Sequence, residues 1–98
     1  MNFPFPAGSG RAQILGAVQN ALAPAMAQFQ PELVLISAGF DSREGDLLGR
    51  FTLTDDDFAD LTRAVQEIGG GLVVSVLEGG YSLEGLASAA AAHVKALG

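Results

Sequence analysis

The sequence LVLISAGFD, at residues 33–41, is a short apolar run that ends in a glycine turn and an aspartate. A second apolar run, LVVSVL at residues 72–77, ends in the same way, in EGGY at residues 78–81. Continuous hydrophobicity is typical of parallel strands that are covered on both faces. Parallel strands present their carboxyl ends at one edge of a sheet, where open α/β sheets bind ligands. We therefore predict that Asp41 and Tyr81 leave the same edge of one sheet.

The first helix is predicted ahead of the first strand. Ile14, Val18 and Leu22 recur with the spacing of one helical face. Pro24 should kink or restart this helix, because proline lacks the backbone N–H group that an interior helical residue donates. We expect Phe29 to continue the buried side.

Two further helices are predicted, one after each strand. Thr54 and Asp57 have the spacing of a capping box, and an amphipathic pattern follows to residue 68. The last helix follows Tyr81, with its apolar positions at residues 83, 86, 90, 94 and 97. His93 falls outside these positions, and we interpret it as a surface or interface residue. The predicted class is α/β, in the order α-β-α-β-α with two parallel strands.

Size and composition limit the classes of function. The chain has 98 residues, of which 49% are hydrophobic, enough for one modest core. A net charge of -6 with only five Lys and Arg argues against nucleic acid as a partner. The sequence contains no cysteine, which excludes disulfides, thiolate metal ligands and a cysteine nucleophile. No apolar run approaches the roughly 18 residues that span a bilayer, so we expect no membrane partner and a cytoplasmic location.

Four features of the sequence could carry chemistry, and each has a plainer interpretation. Asp41 is either a turn aspartate or an oxygen ligand of a metal. Tyr81 is either an aromatic lid over a helix start or a donor to an oxyanion. Glu78 is either a pocket carboxylate or an acceptor for neighbouring backbone amides. The glycines at residues 69–71 are only a weak indication of a phosphate site, because they precede a strand and lack a following Lys-Ser/Thr.

Two long motifs resemble a known family. SAGFDSREGDLLGRFTLTDDDF, at residues 37–58, and VVSVLEGGYSLEGLA, at residues 73–87, resemble the C-terminal third of the bacterial histone deacetylase-like amidohydrolases. These enzymes share the arginase/deacetylase fold, and the resemblance covers nearly the whole chain. It implies that residues 1–98 are a single partial domain, a fragment of a parallel-sheet three-layer fold. Two strands alone would make a poor buried parallel sheet, which favours the same conclusion.

The resemblance implies roles for five residues. Asp41 matches one of the three zinc ligands of the family. Tyr81 matches the tyrosine that hydrogen-bonds the substrate carbonyl and stabilises the tetrahedral intermediate. Gly79 and Gly80 would form the floor near the acyl group. Leu48 would lie at the rim of the substrate tunnel, where relatives that prefer polyamines carry glutamate. Among the acetyl-lysine and related acetylamide substrates of the family, leucine therefore favours acyl-lysine or another substrate that suits an uncharged rim.

The departures from the family pattern shape the expected activity. The other two zinc ligands and the paired catalytic histidines belong to segments that would precede Met1. We therefore expect the C-terminal segment of a zinc-dependent deacetylase that is inactive alone and holds no zinc stably by itself. The family usually has a proline at the position of Leu47. We expect the replacement to loosen the loop that follows Asp41.

Two alternatives to the deacetylase segment stay open. The chain could be a non-catalytic interaction module that forms a homo-oligomer through exposed strand or helix surfaces. A weaker alternative is a small nucleotide-binding α/β domain, which only the glycine turns favour.

Overall fold

Helices cover one face of a two-stranded parallel sheet in the computed structural model, which describes residues 1–98. In chain order the elements are α1 (Arg11–Ala17), a π-helical turn (Val18–Leu22), α2 (Ala23–Phe29), β1 (Val34–Ala38), α3 (Asp55–Ile68), β2 (Val73–Leu77) and α4 (Leu83–Leu97). Helix α1, the π-helical turn and α2 follow one another without a break, so the predicted order α-β-α-β-α is confirmed. None of the helices is both long and apolar enough to cross a membrane.

The two strands are parallel, and each residue of β1 is paired with one residue of β2. Val34 of β1 is paired with Val73 of β2, and the pairing continues to the ends of both strands. Leu35 lies opposite Val74 on the face away from the helices, and its side chain is 70% exposed. The expectation that both faces are covered is therefore wrong for this chain taken alone. Continuous hydrophobicity shows that a strand is suited to burial on two faces, and it does not supply the element that would cover the second.

The core lies between the sheet and helices α3 and α4. Its buried apolar residues are Ala38, Phe40, Leu53, Phe58 and Ala89. The rings of Phe40 and Phe58 lie 5.2 Å apart in a tilted arrangement. Burying each such side chain contributes about 1.5–3 kcal/mol to folding. Since Phe40 directly precedes Asp41, this packing fixes the point at which the chain leaves β1.

Helix α3 begins with the capping box that the sequence predicts. Thr54 accepts a hydrogen bond from the backbone N–H of Asp57, and the Asp57 carboxylate accepts one from the backbone N–H of Thr54. Arg11 of α1 forms a salt bridge of 2.9 Å with Asp57. Burial opposes ionisation of Asp57, but the bonds from Thr54 and Arg11 outweigh it and lower its pKa. The same aspartate therefore caps α3 and joins it to α1.

The first helix meets one expectation and departs from another. A new α-helical segment, α2, begins at Ala23 with Pro24 in its first turn, directly after the π-helical turn, in agreement with the predicted restart at Pro24. A wider turn gives room for the proline ring, which would collide with the carbonyl four residues earlier in a regular helix. Phe29 is 72% exposed, so its predicted burial is wrong. The helix ends at the next residue, Gln30, whose φ is 56°.

Helix α4 buries only part of the predicted apolar face. Leu86 and Ala90 pack against the core as the pattern predicts, whereas Leu83 and Val94 are exposed. Its most buried residues are Gly85, Ala89 and His93. His93 is only 7% exposed, so its interpretation as a surface or interface residue is wrong. The helix is apolar at most positions, and its periodicity alone does not indicate which side packs against the sheet.

Candidate functional site

Asp41 and Tyr81 follow the carboxyl ends of β1 and β2 and meet beside Gly79. A Cβ atom at Gly79 would lie 2.6 Å from Oδ2 of Asp41 and 3.4 Å from the hydroxyl oxygen of Tyr81. The two oxygens are therefore no farther apart than the sum of these distances. The structure brings together the two residues that the strand pattern places at one edge of the sheet.

Backbone hydrogen bonds hold the two strand exits side by side. The N–H of Glu78 donates to the carbonyl of Ala38 at 2.9 Å, and the N–H of Phe40 donates to the carbonyl of Gly79 at 2.8 Å. Gly80 has a φ of 140°, a backbone conformation that residues with a side chain rarely adopt. A Cβ there would also lie 2.8 Å from Cδ1 of Leu86. The turn before Tyr81 is thus set by main-chain pairing and by a residue that must be glycine.

The Asp41 carboxylate suits one position of a zinc site. It is half-buried and takes part in none of the salt bridges of the chain. Its Oδ1 lies 3.1 Å from the position that a Cβ of Gly39 would occupy, so both carboxylate oxygens lie beside glycines. Carboxylate oxygen is one of the donors that zinc accepts in proteins. The chain contains no group of three or more His, Cys, Asp or Glu side chains arranged around one metal position.

Tyr81 and Leu48 are the exposed members of the predicted site. Tyr81 is 47% exposed and Leu48 is 69% exposed. Gly79 and Gly80, which directly precede Tyr81, are half-buried. Leu48 lies on the loop of residues 41–52, where its backbone N–H donates to Asp46 at 2.9 Å. The structure therefore connects Leu48 to the site through this loop.

Arg43 anchors the other side of the same loop to α3. Its Nε donates to Oδ1 of Asp55 at 3.0 Å and its Nη2 to Oδ2 at 3.3 Å, a two-point contact with the carboxylate. The Arg43 bond lowers the pKa of Asp55 and outweighs the effect of burial. A single β-bridge also joins Arg43 to Leu53. The loop is held at several points although it contains neither helix nor strand.

Asp46 is a residue of this site that our sequence reasoning missed. Its Oδ1 accepts hydrogen bonds from the N–H groups of Tyr81 and Ser82, and its Oδ2 from those of Leu48 and Gly49. The bond from Gly49 is the largest influence on the carboxyl, and these bonds together lower its pKa to about 2 despite some burial. An aspartate three residues before a glycine in a loop is a weak signal of such a turn. Nothing in the sequence indicates the contact with Tyr81.

The remaining candidates do not join this site. The Glu78 carboxylate accepts a hydrogen bond of 2.8 Å from the side chain of Ser37 at the surface, rather than from backbone amides. The glycines at residues 69–71 lie between α3 and β2, at the opposite end of β2 from Tyr81. Neither group takes part in the meeting of Asp41 and Tyr81 beside Gly79.

Comparisons with known proteins identify relatives of the whole chain. Residues 1–97 match the family model of the histone deacetylase domain. The chain is 45% identical to the polyamine deacetylase HDAC10 of Mus musculus over 98 residues, which cover 99% of this chain and 15% of the relative. The solved structure of the histone deacetylase Clr3 superimposes with a TM-score of 0.94 at 36% identity, over 99% of this chain and 16% of that one. The HDA15 HD domain gives a TM-score of 0.94 at 35% identity, over 99% and 28% of the two chains. The chain thus spans less than a third of each of these relatives.

Proposed function

Because this chain belongs to the histone deacetylase family, we propose that it is the C-terminal segment of a zinc-dependent deacetylase. In this proposal Asp41 is a zinc ligand and Tyr81 assists cleavage of an acetylamide bond. The observation that supports it is the meeting of the Asp41 carboxylate and the Tyr81 hydroxyl beside Gly79. A catalytic zinc site uses three protein ligands. The segment alone is therefore proposed to be inactive and to need the rest of a deacetylase domain.

The residues of the segment have distinct parts in the reaction. Zinc, when bound, polarises the amide carbonyl and lowers the pKa of a water molecule. The hydroxyl of Tyr81 donates a hydrogen bond to the carbonyl oxygen as negative charge develops on it. Gly79 allows the Asp41 carboxylate and the Tyr81 hydroxyl to lie close to its backbone, because a side chain there would contact both.

Residue 48 distinguishes two classes of substrate within this proposal. Leu48 is exposed and uncharged, so it offers no attraction to the cationic amines of a polyamine. A carboxylate at the same place would attract them through charge. We therefore propose acetyl-lysine as the preferred substrate, although one relative is named as a polyamine deacetylase. Leu48→Glu should raise activity on an acetylated polyamine relative to an acetyl-lysine peptide.

A chimeric enzyme tests the proposal. Residues 1–98 replace the matching segment of Clr3, and hydrolysis of an acetyl-lysine peptide is measured with zinc bound. We expect an active chimera in which Tyr81→Phe lowers kcat by about 10²–10³-fold, the usual effect of losing an oxyanion donor. Asp41→Asn should lower zinc content and activity together, whereas Asp56→Asn, an exposed aspartate on α3, should leave both unchanged.

Two results would contradict the proposal. One is a zinc-loaded chimera whose activity survives both Asp41→Asn and Tyr81→Phe. The other is strong zinc-dependent hydrolysis by the isolated chain, which would overturn its proposed inactivity alone.

The open face of the sheet favours a second candidate, a self-associating interaction module. Leu35, Val74 and Val76 form an exposed apolar row across both strands. Exposed apolar patches and unpaired strand edges are typical of association surfaces. Sedimentation equilibrium at micromolar concentration should then show a dimer or larger species. Leu35→Lys should dissociate it while Glu32→Lys, at an exposed position before β1, should not. A monomeric wild-type chain would exclude this candidate.

A further inference from the structure

One carboxylate joins the two loops that carry the candidate site residues. Oδ1 of Asp46 accepts hydrogen bonds from the backbone N–H of Tyr81 at 2.7 Å and of Ser82 at 3.2 Å. Oδ2 accepts from the backbone N–H of Leu48 at 2.9 Å and of Gly49 at 2.8 Å. All four donors are main-chain groups, so the contact fixes the backbone rather than a mobile side chain.

The charge of Asp46 is matched to this position. Ser82 is the N-cap of α4, and the N-terminal end of a helix carries partial positive charge that favours an anion. The hydrogen bond from Gly49, followed by those from Tyr81, Leu48 and Ser82, holds the pKa of Asp46 at about 2 against the opposing effect of burial. The group is therefore ionised at neutral pH, and charged acceptors form the stronger hydrogen bonds.

The same contact reaches the backbone of Asp41. A Cβ at Gly49 would lie 2.7 Å from the carbonyl carbon of Asp41, so the two main chains are in direct contact. By fixing the amide of Gly49, Asp46 holds the segment that packs against Asp41. Its other oxygen holds the amide of Tyr81.

We propose that Asp46 is a positioning residue that sets the orientation of Tyr81 relative to Asp41. About half of the Tyr81 side chain is exposed, and Gly79 and Gly80 precede it, so neighbouring side chains restrict it little. The anchored N–H group fixes the direction in which its Cα–Cβ bond leaves the backbone. This inference rests on the proposed function of Tyr81, but its structural part can be tested without activity.

Amide hydrogen exchange of the full chain, followed by NMR, tests the anchoring. The amides of Tyr81 and Leu48 should exchange slowly, and that of Leu47, which donates to no acceptor in the chain, should exchange fast. In Asp46→Asn the exchange of the Tyr81 amide should accelerate by about tenfold or more. Glu44→Gln is the matched control, since Glu44 is an exposed acid in the same loop, and it should change nothing.

Kinetics of the Clr3 chimera test the consequence for catalysis. Asp46→Asn should lower kcat by about tenfold or more with little change in KM, because misplacing a catalytic group affects the transition state more than substrate binding. Glu44→Gln should leave both parameters unchanged. A merely structural role for Asp46 would lower the amount of folded enzyme without changing kcat per folded, zinc-loaded molecule.

The outcomes separate this inference from the proposed function. Asp46→Asn with wild-type exchange at Tyr81 and wild-type kcat would overturn the positioning role. Inactivity of every chimera would count against the proposed function, and exchange at Tyr81 would still decide whether Asp46 anchors it. If Asp46→Asn does not fold, amide exchange in the wild-type chain tests the inference instead. A Tyr81 amide that exchanges as fast as the Leu47 amide would overturn it.

Discussion

His93 is a buried side chain with both ring nitrogens bonded to hydroxyl groups. Its Nδ1 lies 2.7 Å from Oγ1 of Thr62, and its Nε2 lies 2.7 Å from Oγ of Ser75. The Thr62 hydroxyl donates its only proton to the carbonyl of Phe58 at 2.6 Å, so it accepts from His93. Nδ1 therefore carries a proton, and in the neutral ring, which burial favours, Nε2 accepts from the Ser75 hydroxyl. Burial lowers the pKa of this ring, because it disfavours the charged form.

We predict that mild acid destabilises the fold through His93. The folded pKa lies below the ordinary value of 6.5, so the unfolded chain takes up the proton first. The stability that neutral His93 contributes is complete above about pH 6.5 and is lost as the pH falls through the folded value. The aspartates with lowered pKa values lose their contributions only below their ordinary value of 3.8. Urea unfolding at pH 7 and pH 5 should show the loss.

NMR titration of the only histidine provides the control for this prediction. The ring should titrate below pH 6.5 in the folded chain and near that value in urea. A folded midpoint above the unfolded one, or greater stability at pH 5 than at pH 7, would contradict the assignment of a neutral buried ring.

Residues differ in how far the sequence reveals their place. Asp41 and Tyr81 were predictable neighbours, because each follows a parallel strand and such strands end at one edge. Asp46 was not, because its bond to Tyr81 spans 35 positions and goes to a backbone N–H group, which every residue but proline has. The burial of His93 was not predictable either, because its partners Thr62 and Ser75 lie on two other elements.

At the scale of elements, the N-terminus of α3 joins several parts of the fold. Thr54 and Asp57 cap the helix, and Asp57 also binds Arg11 of α1. Asp55 in the same turn binds Arg43 of the loop that follows Asp41. Acidic residues in a first helical turn also interact favourably with the helix dipole. This turn therefore connects α1, α3 and the loop of residues 41–52.

We predict that Thr54→Ala lowers the free energy of unfolding by about 1 kcal/mol, the typical effect of losing an N-cap side chain. The change removes the oxygen that accepts from the N–H of Asp57. Thr54→Ser keeps this oxygen and should stay close to the wild type. Urea denaturation of the three chains at pH 7 measures the difference. Equal stability of the alanine and serine variants would show that the cap contributes nothing.

Patterns within one element predict its existence better than its buried face. The capping box and the spacing of apolar residues were sufficient to predict α3, because its polar and apolar residues lie on different sides of the helix. The buried face of helix α4 was predicted only in part, because the helix is apolar at most positions and its neighbours determine which side is buried. The structure places its small residues, Gly85 and Ala89, in the interior and leaves Leu83 and Val94 exposed.

At the scale of the whole molecule, one layer of helices covers one face of a sheet whose other face is bare. The apolar run of β1 predicted two covered faces, and one of them carries Leu35 at the surface. The covering element cannot be inferred from β1 itself, because hydrophobicity records what a strand can bury and not what buries it. The chain spans only 15% to 28% of the relatives that it matches.

The most direct test of the site is an NMR measurement of the contact beside Gly79. Tyr81 is the only tyrosine, and its ring protons can be assigned without ambiguity. A nuclear Overhauser effect is expected between these protons and an α-proton of Gly79, which points toward the hydroxyl of Tyr81. Asp41→Asn should shift the ring resonances, whereas Glu44→Gln should leave them in place. Absence of the Overhauser effect, with ring resonances that do not respond to Asp41→Asn, would show that the two side chains do not meet beside Gly79.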